Sequence, residues 1–343
     1  MVVRLDSAGD VLLAGPAVRA VAAGSSYTAM LCGPRGEPAA RLLPGVDEVL
    51  VHDAPWVGLD PAPVRRADTD ALLGAVAARR FDRALVLASY HQSPLPAALL
   101  LKLAGVAWTA ADSEYYPGAL LDLRHRRAPH RHEAEAALDL AEAAGFALPP
   151  GDDGALRIAT PPDTTPLTGA DPYLVVHPGA AVPARAWSPE RAARAAAALD
   201  AAGHRVVVTG GPGEKELTAV VAGDWALDLG GRTGLPELAG VLAGAEAVVT
   251  GNTGPAHLAA ATGTPVACLF APVVPADRWA PYRVPHVLLG RRDAPCAGTR
   301  ARTCPVPGHP CLDSLTDAEV TAAVASLLAA RGRPERRHAR EVR

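Results

Sequence analysis

The sequence predicts an α/β protein built from two doubly wound parallel sheets, and three observations carry that prediction. Short apolar, β-branched runs alternate with alanine-rich helical patterns along most of the 343 residues, as parallel strands with helices on both faces require. A proline-, glycine- and aspartate-rich stretch over 148–172 divides this pattern into halves, each long enough to bury a core of its own. Strands also run straight into glycine turns and helix starts, the unit that gathers ligands at the carboxyl ends of parallel strands.

In the first half the pattern predicts a strand over 2–5, a helix over 10–23 and a strand over 27–32, followed by the broken turn 33–36. Strands at 49–51 and 84–88, helices at 70–79 and 96–103, and a closing helix at 133–144 complete it. A short strand over 156–158 interrupts the linker. The second half restarts with a strand over 173–176 and the turn His177-Pro178-Gly179, then a helix over 189–201 and a strand over 205–208. The turn 210–213 opens a further helix, before strand 226–229, helix 236–243, strand 247–250, strand 266–270 and a last helix over 317–330. The expected units are residues 1–150, a linker over 151–171, residues 172–330, and a charged, apolar-poor tail over 331–343 expected to be disordered.

Composition narrows the function. A net charge of −3 argues against a nucleic-acid binder, which would carry a strong basic excess. Lys102 and Lys215 are the only lysines, so the abundance of arginine and alanine reads as coding bias rather than as an anion-binding surface. No apolar run is long enough to span a bilayer, and the N-terminus reads as a strand without a signal-peptide core. The cytoplasm is the expected compartment.

The most informative stretch is 250–265, TGNTGPAHLAAATGTP. A β-branched run ends at Thr250, the turn Gly251-Asn252-Thr253-Gly254 bends the chain, and Pro255 suits the first turn of the helix that follows. Unpaired N–H groups and the positive end of a helix dipole then converge on one point, where phosphate is the usual guest. A ligand-free strand–helix turn would have the same sequence. Asp10, in the first turn of the chain, is read both as a carboxylate aimed at the cleft and as a helix N-cap. The turn at 210–215 lacks the Gly-Lys-Ser/Thr ending of a P-loop, and the first turn lacks GxGxxG, so ATPase and dehydrogenase readings lose support. Cys32 and Cys268 sit in strand-like segments and read as reduced core residues. Cys296, Cys304, His309 and Cys311 offer soft ligands for zinc but no CxxC pair, so they read as thiols in a proline-rich loop and no metal is assigned. His91, His125, His130 and His132 show no ligand spacing.

Taken in order, RLDSAGDVLLAGPAVRAV, HPGAAVPARAW, TGGPGE and GNTGPAHLAAATGTPVACLFAP resemble glycosyltransferase family 9, the group of the ADP-heptose:lipopolysaccharide heptosyltransferases. The resemblance spans nearly the whole chain, and its most specific block is the D-T-G-x-x-H element. It implies a GT-B fold, two Rossmann-like domains facing across a cleft, with the acceptor on the N-terminal half and a nucleotide-diphosphate sugar on the other. It also implies inverting, metal-independent transfer of a sugar, a heptose in the group named, to a hydroxyl of a glycan or glycolipid, with no cofactor beyond the donor. The acceptor would be met at the inner face of the cell membrane. Carried over, Asp10 matches the catalytic aspartate, Arg185 a lysine on the phosphates, Glu214 an acid on the ribose and Thr233 a residue gripping the base. Asn252, Thr253, Gly254 and His257 match the diphosphate turn and its histidine. The chain departs from the pattern at Asn252, where the family has aspartate, and at Ala180 and Ala181, where hydroxyl residues are common. Two other readings share these features: a GT-B sugar-nucleotide epimerase or hydrolase, and a noncatalytic nucleotide-sugar-binding protein.

Overall fold

A computed structural model of the protein describes residues 1–58 and 60–331. Its strands form two six-stranded sheets. The first contains β1 (Val2–Arg4), β2 (Ala29–Cys32), β3 (Glu48–Val51), β4 (Arg83–Val86), β5 (Trp108–Asp112) and β6 (Leu123–His125). The second contains β7 (Leu174–His177), β8 (Val206–Val208), β9 (Leu227–Asp228), β10 (Val248–Gly251), β11 (Val266–Leu269) and β12 (His286–Leu289). Every pairing is parallel, with Val2 opposite Met30 on one side and Leu85 on the other, and Val248 likewise between Val175 and Val266.

The orders are β3-β2-β1-β4-β5-β6 and β12-β11-β10-β7-β8-β9. Read in chain order within each half, these are one topology used twice: the chain winds outward from the first strand, then returns to wind the other way. The reversal falls between β1 and β4 and between β7 and β10. Such a switch point opens a crevice at the carboxyl ends of the two strands. The pair of sheets, each with its own crevice, is the GT-B arrangement.

Helices cover both faces of each sheet, so central strands such as β7, Leu-Val-Val-His, are buried throughout. One apolar cluster runs through both halves, joining Val2, Leu12 and Leu13 of the first to Val175, Ala256 and Leu258 of the second. The outer faces carry separate clusters, Val3 with Leu72 and Leu101 in the first half and Val176 with Leu199 and Val324 in the second. The inner helices Ala8–Leu13 and Gly254–Thr262 therefore bind the halves together and present their N-termini to each other.

Several expectations change in detail. The helix over 10–23 is two, Ala8–Leu13 and Gly15–Ala23, because Pro16 has no N–H to give the carbonyl of Leu12. Residues 156–158 are not a strand. The backbone there turns to the first half instead: the Ala159 N–H donates to the Leu42 carbonyl at 2.7 Å, and the Ala155 carbonyl accepts from Arg19. The linker also holds a short helix, Thr165–Thr168. β5, β6 and β12 were not expected, since they carry alanine, arginine or histidine in place of a continuous β-branched run. The last helix is Asp317–Arg331, so beyond its first residue the tail over 331–343 lies outside the described residues.

Candidate active site

A cavity of about 510 Å³ lies between the two sheets where their crevices meet. From the first half its wall is the turn after β1, Asp6 to Asp10, with His91 and Gln92 from the loop after β4. From the second half it is Arg185, on the loop after β7, and Asn252, Thr253, Gly254 and His257 after β10. Both switch points thus contribute.

Asp10 does not cap its helix. The helix begins at Ala8 with Ser7 as N-cap, so Asp10 sits inside the first turn. Its carboxylate accepts from the Ser7 hydroxyl at 2.8 Å, from Arg4 Nη2 at 3.1 Å and, at 3.4 Å, from the indole N–H of Trp279. The side chain keeps 21% exposure, enough to meet a ligand. Burial pushes its carboxyl upward, but the Arg4 guanidinium and the Ser7 hydroxyl outweigh this and hold it below the usual carboxylate range. Asp10 is therefore ionised at neutral pH.

Arg4 is the hub beneath it. Only 2% exposed, it pairs with Asp6 at 2.8 Å, Asp10 at 3.1 Å and Glu133 at 3.5 Å, and donates to the Ser89 hydroxyl at 2.7 Å. Burial alone would pull its guanidinium down; the three carboxylates hold it above its ordinary value. Burial lifts Asp6, also within the cluster, to about 6 despite Arg4. Glu133 continues the network, accepting from Arg127 at 2.6 Å.

On the opposite bank, helix Gly254–Thr262 starts at the cavity with Thr253 extended as its N-cap and Pro255 in its first turn. His257 is buried, and burial lowers its imidazole to about 4, with Asp10 opposing, so the ring is neutral. Among the described residues its Nδ1 has no hydrogen-bond partner, nor has Nδ2 of the buried Asn252, whose Oδ1 accepts from the Ala271 N–H at 3.3 Å. Arg185 ends the short helical turn Pro183–Arg185, and its Nε is likewise buried and unpartnered. Burial lowers that guanidinium, with the Asp10 carboxylate opposing. An arginine so placed remains a cation. Buried donors left over by the fold, at a helix N-terminus beside a guanidinium, are suited to hold the oxygens of a multiply charged anion.

The cavity therefore brings together Asp10, Arg185, Asn252, Thr253, Gly254 and His257. Glu214 and Thr233 do not line it. They lie on the loops after β8 and β9, at the same sheet edge. The Glu214 carboxylate folds back to accept from the Gly211 N–H at 2.7 Å and covers Gly179, where a Cβ would collide with it. Of the late cysteines, Cys296 and Cys311 are buried free thiols, and His309 turns away to the Ala184 carbonyl at 3.2 Å. Among the described residues no group of three or more metal-ligating side chains is arranged around a point.

The sequence pattern of glycosyltransferase family 9 (heptosyltransferase) matches residues 70–309. The chain belongs to glycosyltransferase family 9. The family 9 enzyme is similar in structure to a glycosyltransferase family 9 protein from Veillonella parvula DSM 2008, with a TM-score of 0.75 and 19% identity over 96% of each chain. It is also similar to ADP-heptose lipopolysaccharide heptosyltransferase II of E. coli, with a TM-score of 0.73 and 19% identity over 96% of this chain and 98% of that one. The E. coli heptosyltransferase WaaC with ADP gives a TM-score of 0.68 and 20% identity over 96% and 98%. No curated protein matches it in sequence.

The cavity of this family 9 enzyme contains residues that motif reasoning missed. Asp6, on its wall, and Arg4, buried beneath it, had a signal: two charges two residues apart at the end of an apolar strand. Trp279, Arg300 and Arg302 had none, because nothing near them in sequence marks a turn or helix start at the cleft.

Proposed function

We propose that the protein transfers a heptose-class sugar from a nucleoside-diphosphate donor to a hydroxyl of a glycan or glycolipid, inverting the anomeric centre and using no metal. The single observation that carries this reading is the opposition of an ionised carboxylate, Asp10, to a cluster of unpartnered anion-holding groups across one cavity. A donor whose diphosphate rests on Arg185, the Gly254 helix start and His257 presents its anomeric carbon toward the first half. The acceptor oxygen attacks that carbon, Asp10 takes the hydroxyl proton, and the bond to the diphosphate breaks. The electron pair leaves with the diphosphate, whose charge the guanidinium and helix dipole stabilise. In this reading the two carboxylate oxygens of Asp10, already fixed by Ser7 and Arg4, are held in orientation rather than free to rotate. Asn252 would meet the donor with an amide N–H where relatives offer a carboxylate, and Glu214 and Thr233 would serve the nucleoside end of the donor from the neighbouring loops.

ADP-heptose is the first donor to test, because the structurally similar E. coli enzymes are heptosyltransferases, one of them solved with ADP. We place the reaction in the cytoplasm, at the membrane face where a glycolipid acceptor is exposed; no helix among the described residues is long and apolar enough to cross a membrane. The test is ADP release from ADP-heptose with and without glycan acceptors, in the presence of chelator. Acceptor-dependent release with an inverted product supports the reading. Equal release without acceptor would make the protein a hydrolase, interconversion of the donor sugar an epimerase, and retention of intact donor a binding protein.

A further inference from the structure

The loop between β12 and the helix Pro310–Asp313 carries two arginines, Arg300 and Arg302, into the cavity wall. Three backbone hydrogen bonds stitch that loop to the donor-side elements. The Gly298 N–H donates to the Pro272 carbonyl and the Arg300 N–H to the Val273 carbonyl, both at 2.8 Å, and the Arg302 carbonyl accepts from the Ala184 N–H at 2.9 Å. Thr299 closes the turn by donating its hydroxyl to the carbonyl of Cys296, a residue only 1% exposed in the second-half core. The chain at 298–302 is thus held on the loops after β11 and β7.

Arg300 sits in that turn with φ at +58°, a left-handed conformation that glycine adopts freely and a long side chain adopts at a cost. Its charge acts on Arg185 and on His91, both cavity residues, and works against protonation of each. Among the described residues no carboxylate pairs with Arg300 or Arg302, whereas Arg4, Arg19, Arg127 and Arg131 are all matched by acids. Strained backbone, like-charge neighbours and the lack of an acid are each unfavourable in the protein alone. The two electrostatic costs turn favourable when a polyanion fills the space between Arg185 and Arg300, and the backbone strain is a cost the turn carries to hold the guanidinium in place.

Resting on the donor-site reading above, we propose that Arg300 is a second guanidinium on the donor diphosphate, opposite Arg185, and that the loop 298–302 exists to hold it there. One arginine and one helix N-terminus leave part of a diphosphate's charge uncompensated in a half-buried cavity; a second guanidinium matches it. The same group would neutralise the diphosphate as it departs, so its loss lowers turnover as well as affinity.

The test is calorimetry of ADP and of adenosine on the full chain, for the wild type, Arg185→Ala, Arg300→Gly and Arg300→Lys. Glycine suits the left-handed backbone, so Arg300→Gly removes the guanidinium without a folding penalty and keeps or raises the melting temperature. The expected result is a ten- to hundredfold weaker Kd for ADP in Arg300→Gly, an unchanged Kd for adenosine, and partial recovery in Arg300→Lys. ADP affinity intact in Arg300→Gly but lost in Arg185→Ala would overturn this proposal and leave the donor site standing. Equal losses for ADP and adenosine would assign the loop to the nucleoside pocket and also overturn it, as would a raised acceptor KM with ADP binding intact. Failure of the wild type to bind ADP, GDP or UDP would remove the donor-site reading and this inference together.

Discussion

Gly9 leaves the room that His257 fills: a Cβ on Gly9 would stand 2.9 Å from the ring Cδ2 and 3.3 Å from the Gly254 Cα. The contact crosses between the halves, from the turn that carries Asp10 to the helix start that faces it. We predict that Gly9→Ala destabilises the protein by about 1–3 kcal/mol, as overpacking a tight contact does. Because the two banks must separate to accept the methyl, turnover should fall by up to about a hundredfold. Denaturant unfolding and steady-state kinetics on the same variant check both parts; a variant with unchanged stability would show that the halves adjust freely at this point.

Asp10→Asn keeps the shape of the side chain and removes the carboxylate proposed as the base. The expected outcome is a turnover about 10²- to 10⁴-fold lower, with ADP affinity within a few-fold of the wild type. Since Arg4 and Ser7 hold Asp10 below the usual carboxylate range, its own titration should not limit the rate anywhere near neutral pH. An acid limb near pH 6 that survives in Gln92→Ala but disappears in Asp6→Asn would belong to Asp6, whose carboxyl is lifted to about 6.

Arg4 compensates three carboxylates from a nearly sealed position. Replacing it with methionine leaves Asp6, Asp10 and Glu133 without their shared cation, and the expected loss is roughly 3–5 kcal/mol of stability. The double change of Arg4→Met with Glu133→Gln should recover part of that loss. Urea unfolding of the pair measures it, and additive losses would show that Glu133 and Arg4 act independently.

His257 links pH to stability. Its ring is held at about 4 in the folded protein against about 6.5 in an unfolded chain, so the unfolded state binds the extra proton between those values. Stability must then fall as pH drops from 7 toward 5, by about 2 kcal/mol from this residue. His257→Gln removes that dependence. Unfolding free energies at pH 7 and pH 5 should differ less in the variant than in the wild type, and an equal difference would show that the ring is protonated in the folded state.

Arg185→Ala should weaken nucleoside-diphosphate binding by about ten- to a hundredfold and leave nucleoside binding nearly unchanged. Calorimetry with ADP and adenosine decides it, and equal losses would move Arg185 from the phosphates to the nucleoside pocket or to the fold.

The sequence was legible where chemistry is local. The block 250–265 announced a strand, a tight turn and a helix start in consecutive residues, and β10 with helix Gly254–Thr262 follows that order. The two-sheet architecture was readable from alternation alone, although β5 and β12 were hidden because alanine, aspartate and histidine do not mark a strand. Asp10 was found by its turn as a carboxylate at the cleft, while the capping role also read there falls to Ser7, since the helix start depends on backbone bonding that residue type does not specify. Arg300 was illegible for a different reason: its place is set by hydrogen bonds to Val273 and by the neighbouring bond from Ala184, more than a hundred residues away in the case of Ala184. Glu214 matches its motif, yet its carboxylate is engaged by the Gly211 N–H, a local bond that a residue pattern does not weigh.

Asp10 belongs to one sheet and the anion-holding groups to the other, and the two sheets are joined by a single break in the strand pattern between β6 and β7. If the banks part, base and donor part with them. A donor bound to the second half alone would then face water without a group placed to take water's proton, and its glycosidic bond would survive the wait. In the proposed reaction, division of the site between two halves would work as a safeguard, since a donor held by the second half could be transferred only while the contact of Gly9 with His257 keeps the banks together.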